Sequence, residues 1–252
     1  MRFSTIKNCE VFTHDGFIGH VRDLLIEDNS WDVRYIVISM QTKLSIRQAL
    51  VAPSAILSID TERRLVTTVL RTKQFLDCPR LDEDQPISRE YEQALVNYFG
   101  WPIYWLGRAA MISPQHLSRM ADEKTNEVFE REGQANLRSA SEMMNYKITT
   151  SEGIRAGCLN DLIVNRYSWQ VDYASTEAIS WLPKEGWMFS TERIESIDWA
   201  DRAISVNLTK ALFQKKDVLM VKPLEKPNYG RLTEYSMIEL NLLNHAHRLG
   251  EV

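Results

Sequence analysis

Few residues in this chain could do chemistry, and their spacing does not bring them together. The histidines are His14, His20, His116, His245 and His247. His245 and His247 stand two apart, which on a helix sends them to different sides, whereas joint chelation prefers i, i+4. The other three are scattered, and all five read as solvent-exposed side chains. Cys9, Cys78 and Cys158 are odd in number and hold no metal-ligand spacing, so they read as reduced thiols. Gly16-Phe17-Ile18-Gly19 falls in a hairpin, not in the strand–loop–helix setting of a phosphate cradle, and no nucleophile-elbow serine occurs. Asp23 and Asp161 have no nearby histidine or second acid that would tune a general acid or base. The expectation is a protein without catalytic residues, cofactor or metal, and not an enzyme.

What remains is aromatic. Trp101-Pro102-Ile103-Tyr104-Trp105 is the densest aromatic cluster. It could be a recognition surface, because exposed apolar patches mark interfaces. It could also pin the helix expected just before it, from Ser88 (N-cap) to Phe99, which Gly100 ends. That helix carries Tyr91, Leu95, Tyr98 and Phe99 on one stripe. A second amphipathic stretch, Thr233–Leu249, places Ile238 and Leu242 one turn apart at its centre. Trp101, Tyr104, Trp105, Ile238 and Leu242 are therefore the candidate partner surface. The C-terminal helix is a candidate homodimer element.

The elements that would position these residues come twice. Gly19, Asp23, Trp31, Tyr35, Asp60, Arg64 and Phe75 recur as Gly157, Asp161, Trp169, Tyr173, Asp198, Arg202 and Phe213, every pair at the same offset. No net insertion separates the copies over this span, and the period is a whole domain rather than a solenoid unit. The first copy reads as short strands: Glu10–Thr13, His20–Ile26, Val33–Ser39, Leu50–Ala52, Ile56–Asp60 and Leu65–Leu70. An Asp15-Gly16 turn follows the first of them. The second copy reads as Tyr146–Thr150, Gly157–Val164, Val171–Ser175, Trp187–Ser190, Arg193–Asp198 and Ala203–Leu208. Such runs without a helical interruption indicate small antiparallel barrels or sandwiches. Trp31 and Trp169, after the same turn, read as core or barrel-end plugs. Asp23 and Arg34, on neighbouring strands, suggest a cross-strand ion pair, which Asp161 and Asp172 could not repeat.

A net charge of −4 and a pI near 5.8 provide no global field for nucleic acid or an anionic membrane. No stretch approaches the ~20 apolar residues of a membrane span. The N-terminus lacks the apolar core of a signal peptide, so a cytoplasmic location is expected.

The first copy carries a resemblance. Gly16-Phe-Ile-Gly19-His-Val-Arg-Asp23, followed by Trp31-Asp-Val-Arg34-Tyr35-Ile-Val-Ile, resembles the signature of the PRC-barrel family, named for the photosynthetic reaction centre H subunit. A related barrel occurs in the ribosome maturation factor RimM. The run from Asp84-Gln-Pro86 through Trp101-Pro102-Ile-Tyr104-Trp105 resembles the extension of stand-alone bacterial members. The second copy departs where Arg34-Tyr35-Ile36-Val37-Ile38 becomes Asp172-Tyr173-Ala174-Ser175-Thr176. The resemblance implies a non-enzymatic adaptor or assembly module with a protein partner. A ribosome- or RNA-processing-associated adaptor like RimM is the alternative. The expected fold is mainly β: two small antiparallel β-barrels with a few decorating helices. The expected division is 1–106 (first barrel with helical extension), 107–141 (polar linker) and 142–252 (second barrel with C-terminal helix), with the groove between the barrels as the contact region.

Overall fold

The computed structural model describes residues 1–41, 46–81, 86–104, 136–177 and 188–209. Trp105, Ile238, Leu242, the helix expected over Thr233–Leu249 and most of the stretch 107–141 lie outside them.

The first half runs α1 (Phe3–Ile6), β1 (Glu10–Thr13), β2 (Gly16–Glu27), β3 (Val33–Gln41), β4 (Ile46–Val51), a 3-10 turn (Pro53–Ala55), β5 (Ile56–Asp60), β6 (Leu65–Thr68), α2 (Thr72–Asp77) and α3 (Arg89–Phe99). The second runs β7 (Leu137–Ser139), α4 (Ala140–Met143), β8 (Lys147–Thr150), β9 (Arg155–Val164), β10 (Val171–Thr176), β11 (Met188–Ser190), a 3-10 turn (Thr191–Arg193), β12 (Ile194–Asp198) and β13 (Ala203–Val206). The strand orders are β4-β3-β2-β1-β6-β5 and β11-β10-β9-β8-β13-β12, one pattern used twice. The pairs are antiparallel except that β1 lies parallel to β6, and β8 to β13. The cause is the 3-10 corner. It carries the chain from β4 into β5 without reversing it, so β6 returns in the direction of β1. The hydrogen-bonded path stays open between β4 and β5, which this corner joins.

The repeat extends to unusual backbone. The non-glycine residues with positive φ among the described residues are Asn8 and Asn145, Trp31 and Trp169, and Arg64 and Arg202. Each pair occupies one place in the two halves. A left-handed conformation costs of order 1–3 kcal/mol in a residue other than glycine, so its recurrence in a Trp and an Arg marks a constraint of the fold. Asn8 and Asn145 fall one place short of the offset that the other two pairs share. The second copy gains a residue in the β8–β9 hairpin, after Gly153, which is why the constant register starts only at Gly19.

The halves do not pack as independent barrels. One cluster of buried apolar residues runs from Phe3, Val11, Leu24, Ile36 and Ile38 in the first half to Tyr146, Ile148, Leu162, Val164 and Phe189 in the second. Each such side chain contributes roughly 1.5–3 kcal/mol by leaving water. The entry segments are also exchanged. Strand β7, read from sequence as the end of the linker, pairs with β2 of the other half: Leu25 faces Ser139, Ile26 faces Arg138 and Glu27 faces Leu137. Reciprocally, Arg2 bridges Ile163 on β9, and Val164 N–H donates to the Met1 carbonyl at 2.8 Å. Strand β2 is long enough for this because β1 uses only its first part, Gly16 to His20.

Asp23 and Asp161 hold this exchange. Neither forms the cross-strand pair expected of Asp23. Asp161, 2% exposed, accepts from Ser4 N–H (3.0 Å) and Ser4 Oγ (2.5 Å) at the start of α1. Asp23 accepts from Ser139 Oγ (2.5 Å) and Ser141 N–H (2.9 Å) at the start of α4. The first amides of a helix have no partner inside it. Here a carboxylate on one half's second strand caps the other half's helix. The capping role is the physical reason that this aspartate stands in both copies.

Candidate functional site at the junction of the halves

The β2–β3 and β9–β10 turns meet across an approximate dyad. Val33 N–H donates to the Trp169 carbonyl and Val171 N–H to the Trp31 carbonyl, both at 2.8 Å. Asp32 bridges Gln170, its own counterpart in the other copy. The left-handed φ of the two tryptophans (61° and 59°) turns those carbonyls outward to the other half. Both indoles are partly buried against the shared core, so the plug reading of the sequence holds in part. Their backbone role could not be read from residue type.

One side of this junction is a cleft of about 230 Å³. Asp32, Arg34 and Tyr35 from β3 and its approach line it, as do Pro53 and Ser54 from the corner. Val96, Trp101, Pro102 and Tyr104 from the end of α3 and beyond form another wall, and Ser168 and Trp169 come from the second half. Helix α3 builds that wall. Ser88 Oγ accepts from Tyr91 N–H at 3.2 Å, and Gly100 (φ 72°) closes the helix by donating to Val96 O at 2.8 Å. The buried stripe is Glu92, Leu95 and Val96, rotated from the expected one. Tyr91 is half-buried, and Tyr98 is 41% exposed. Leu95 packs on Leu25, Tyr35, Val37 and Leu50, so β3 is covered on both faces. Trp101 stacks on Phe99 (4.1 Å between centroids, planes 10° apart) and touches both apolar clusters. It therefore pins the helix and faces the cleft. The pinning role expected of that aromatic run holds for Trp101.

Sequence reasoning missed the polar layer beneath. Glu92 is 3% exposed. It accepts from Tyr104 Oη at 2.5 Å and from Arg89 Nη1 at 2.7 Å. Burial raises its carboxyl above the ordinary carboxylate value; the Tyr104 hydrogen bond and then Arg89 pull the other way. Burial, and next the Glu92 charge, push the Tyr35 and Tyr104 phenols well above their usual range, so both stay hydrogen-bond donors. A glutamate one place after Tyr91, off the stripe expected to be buried, carries no signal of burial. Only the aromatic run beyond Gly100 hinted at it.

Arg34 sits 4.3 Å above the Tyr104 ring. Its guanidinium pairs with Glu27 and, at 2.9 Å, with Asp32. The equivalent positions of the second half hold no such triad. Glu27, Asp32 and Arg34 correspond to Asn165, Gln170 and Asp172, where Asn165 donates to Asp172 at 3.0 Å. Among the described residues no cluster of His, Cys, Asp and Glu could hold a metal ion, and no helix is long and apolar enough to cross a membrane.

Residues 1–72 match the PRC-barrel domain family. That span takes in β1 to β6 and stops where α2 begins, so the family match covers the cleft's β3 and corner residues but not its α3 wall. No curated protein matches the chain. A PRC-barrel domain at this position suggests a small binding or assembly module.

Proposed function

We propose that this protein is a non-enzymatic binding module built from two PRC-type repeats, and that its contact region is the cleft where they meet. The observation that carries the reading is the convergence there of Trp101, Tyr104 and Trp169 from separate parts of the chain. Tyrosine and tryptophan supply large rigid contact area and are enriched in the energetic centres of interfaces. The pseudo-symmetric scaffold supports this reading. It makes a rigid floor, because both halves share one core. The partner is a protein, engaged by a single anchor rather than by a broad face.

The experiment is co-purification of the full chain from its native cell, compared with Trp101→Ala and Trp169→Ala, with the partner identified by mass spectrometry. Loss of one specific partner in both variants, with retained folding by circular dichroism, is the expected result. A partner that both variants retain in full would move the contact region elsewhere.

A further inference from the structure

We infer that the cleft takes a basic side chain, an arginine or lysine presented by the partner protein. This rests on the reading of the cleft as the contact region and supplies its chemistry.

Size comes first. At about 230 Å³ the cleft falls below the roughly 300–1,000 Å³ of small-molecule sites. It suits one anchoring side chain. Charge comes second. Arg34 is the cation among the lining residues, and it is already matched by two carboxylates, Glu27 and Asp32; Arg89, behind Tyr104, pairs with Glu92. The triad therefore carries one negative charge in excess. Glu27 is nearly buried, but the Asp32 side chain is 31% exposed. Among the described residues its Oδ2 meets Arg34 and its Oδ1 accepts no hydrogen bond. An anion would meet an uncompensated carboxylate here, whereas a cation gains a partner. The walls come third. The Tyr104 ring already carries Arg34 and Arg89, but Trp101 and Trp169 also line the cleft, and a cation over an aromatic face gains ~0.5–2 kcal/mol. Pro53 and Pro102 give the aliphatic stem of a long basic side chain apolar surface. The cleft already displays this mode of recognition once, in Arg34 stacked over Tyr104 beside two acids. The second half, with Asn165, Gln170 and Asp172 in these places, has no such triad.

The test uses the full chain and three capped tripeptides: acetyl-Gly-Arg-Gly-amide, its citrulline analogue, which is neutral and of the same shape, and acetyl-Gly-Leu-Gly-amide. The readout is the indole N–H resonances of Trp101 and Trp169, assigned with Trp101→Phe and Trp169→Phe. The arginine peptide should shift both saturably. Citrulline should bind about tenfold more weakly, the equivalent of ~1.4 kcal/mol. Raising the salt from about 0.1 M to about 1 M, which cuts the Debye length from ~10 Å to ~3 Å, should weaken the arginine peptide several-fold. Asp32→Asn should bring arginine down towards citrulline. The peptide comparison decides the matter even if that variant is unstable. Equal shifts from arginine and citrulline, or a stronger response to the leucine peptide, overturn the basic-anchor inference and leave the cleft as the contact region. Silence from all three peptides also overturns it. In that case, retention of the native partner by both Trp→Ala variants removes the contact region as well.

Discussion

Tyr35 and Tyr173 stand at one place on the third strand of their halves, yet Tyr35 is 2% exposed and Tyr173 39%. The strand is the same; what covers it differs. Helix α3 lies on the outer face of β3, and with it come Leu95, Glu92 and the cleft wall. The residues follow the cover. Tyr35-Ile36-Val37 is buried in the first half, and the corresponding Tyr173-Ala174-Ser175 is smaller and more polar. The two halves share a strand order and a mutual capping scheme. Among the described residues the polar cluster of Arg89, Glu92 and Tyr104 lies where α3 covers the strand.

Breaking the comparison begins with the core. Cys9 and Tyr146 occupy equivalent places, both fully buried, and both flank the same reciprocal hydrogen bonds with β2 and β9. Tyr146→Ala should cost about 4 kcal/mol and Cys9→Ala about 1 kcal/mol, because the cavity left scales with the atoms removed. Both should lower the melting temperature in a single transition reported alike by near- and far-ultraviolet circular dichroism. Two separated transitions would mean that the halves unfold independently, against the shared core.

The repeated glycine sharpens the comparison next. A Cβ on Gly19 would lie 2.1 Å from the Ser39 carbonyl oxygen, whereas Gly157 is required by its φ of 106°. Gly19→Ala should cost about 3 kcal/mol as backbone overpacking and Gly157→Ala about 1–2 kcal/mol as conformational strain. Chemical denaturation measures both, and equal costs would refute the two separate causes.

The capping aspartates should be less unequal. Asp161→Ala removes a carboxylate only 2% exposed that accepts from both Ser4 N–H and its hydroxyl and should cost about 2 kcal/mol; Asp23→Ala, where the carboxylate is half-buried, about 1.5 kcal/mol. Each should increase hydrogen exchange in the helix it caps, which belongs to the other half. Faster exchange confined to the mutated half would contradict the exchange of segments.

The smallest effect is the pH dependence from Glu92, on the helix that covers the first half. Its folded-state value is raised, so the folded protein binds more protons than the unfolded one between the ordinary carboxylate value and the raised one. Stability from this group is therefore present at the acid side of that window and falls as pH rises through it. Glu92→Gln should remove that slope while keeping a hydrogen bond to Tyr104. The difference between melting curves of parent and variant across mildly acidic pH isolates it from other carboxylates. A difference that does not change with pH would count against the burial penalty.

Local signals along the chain suffice for the repeat, most strand positions and the helix from Ser88 to Gly100. Those signals are period-two alternation, a capping serine and a glycine that accepts positive φ. Both ends of Glu10–Thr13 and of Ile56–Asp60 are legible to the residue. Residue type and spacing also mark Trp101 and Tyr104 as belonging together. Packing between distant segments settles the rest. It assigns each entry segment to its half, because Asp23 meets Ser139 across 116 residues and Asp161 meets Ser4 across 157 residues, and no local pattern encodes such contacts. It makes Arg34 answer Glu27 and Asp32 rather than Asp23, since the capping demand of the other half's helix has claimed that carboxylate. The burial of Glu92 likewise depends on what lies across from α3. A residue's environment in a packed protein is set by its non-local neighbours, and here many of those neighbours come from the other copy.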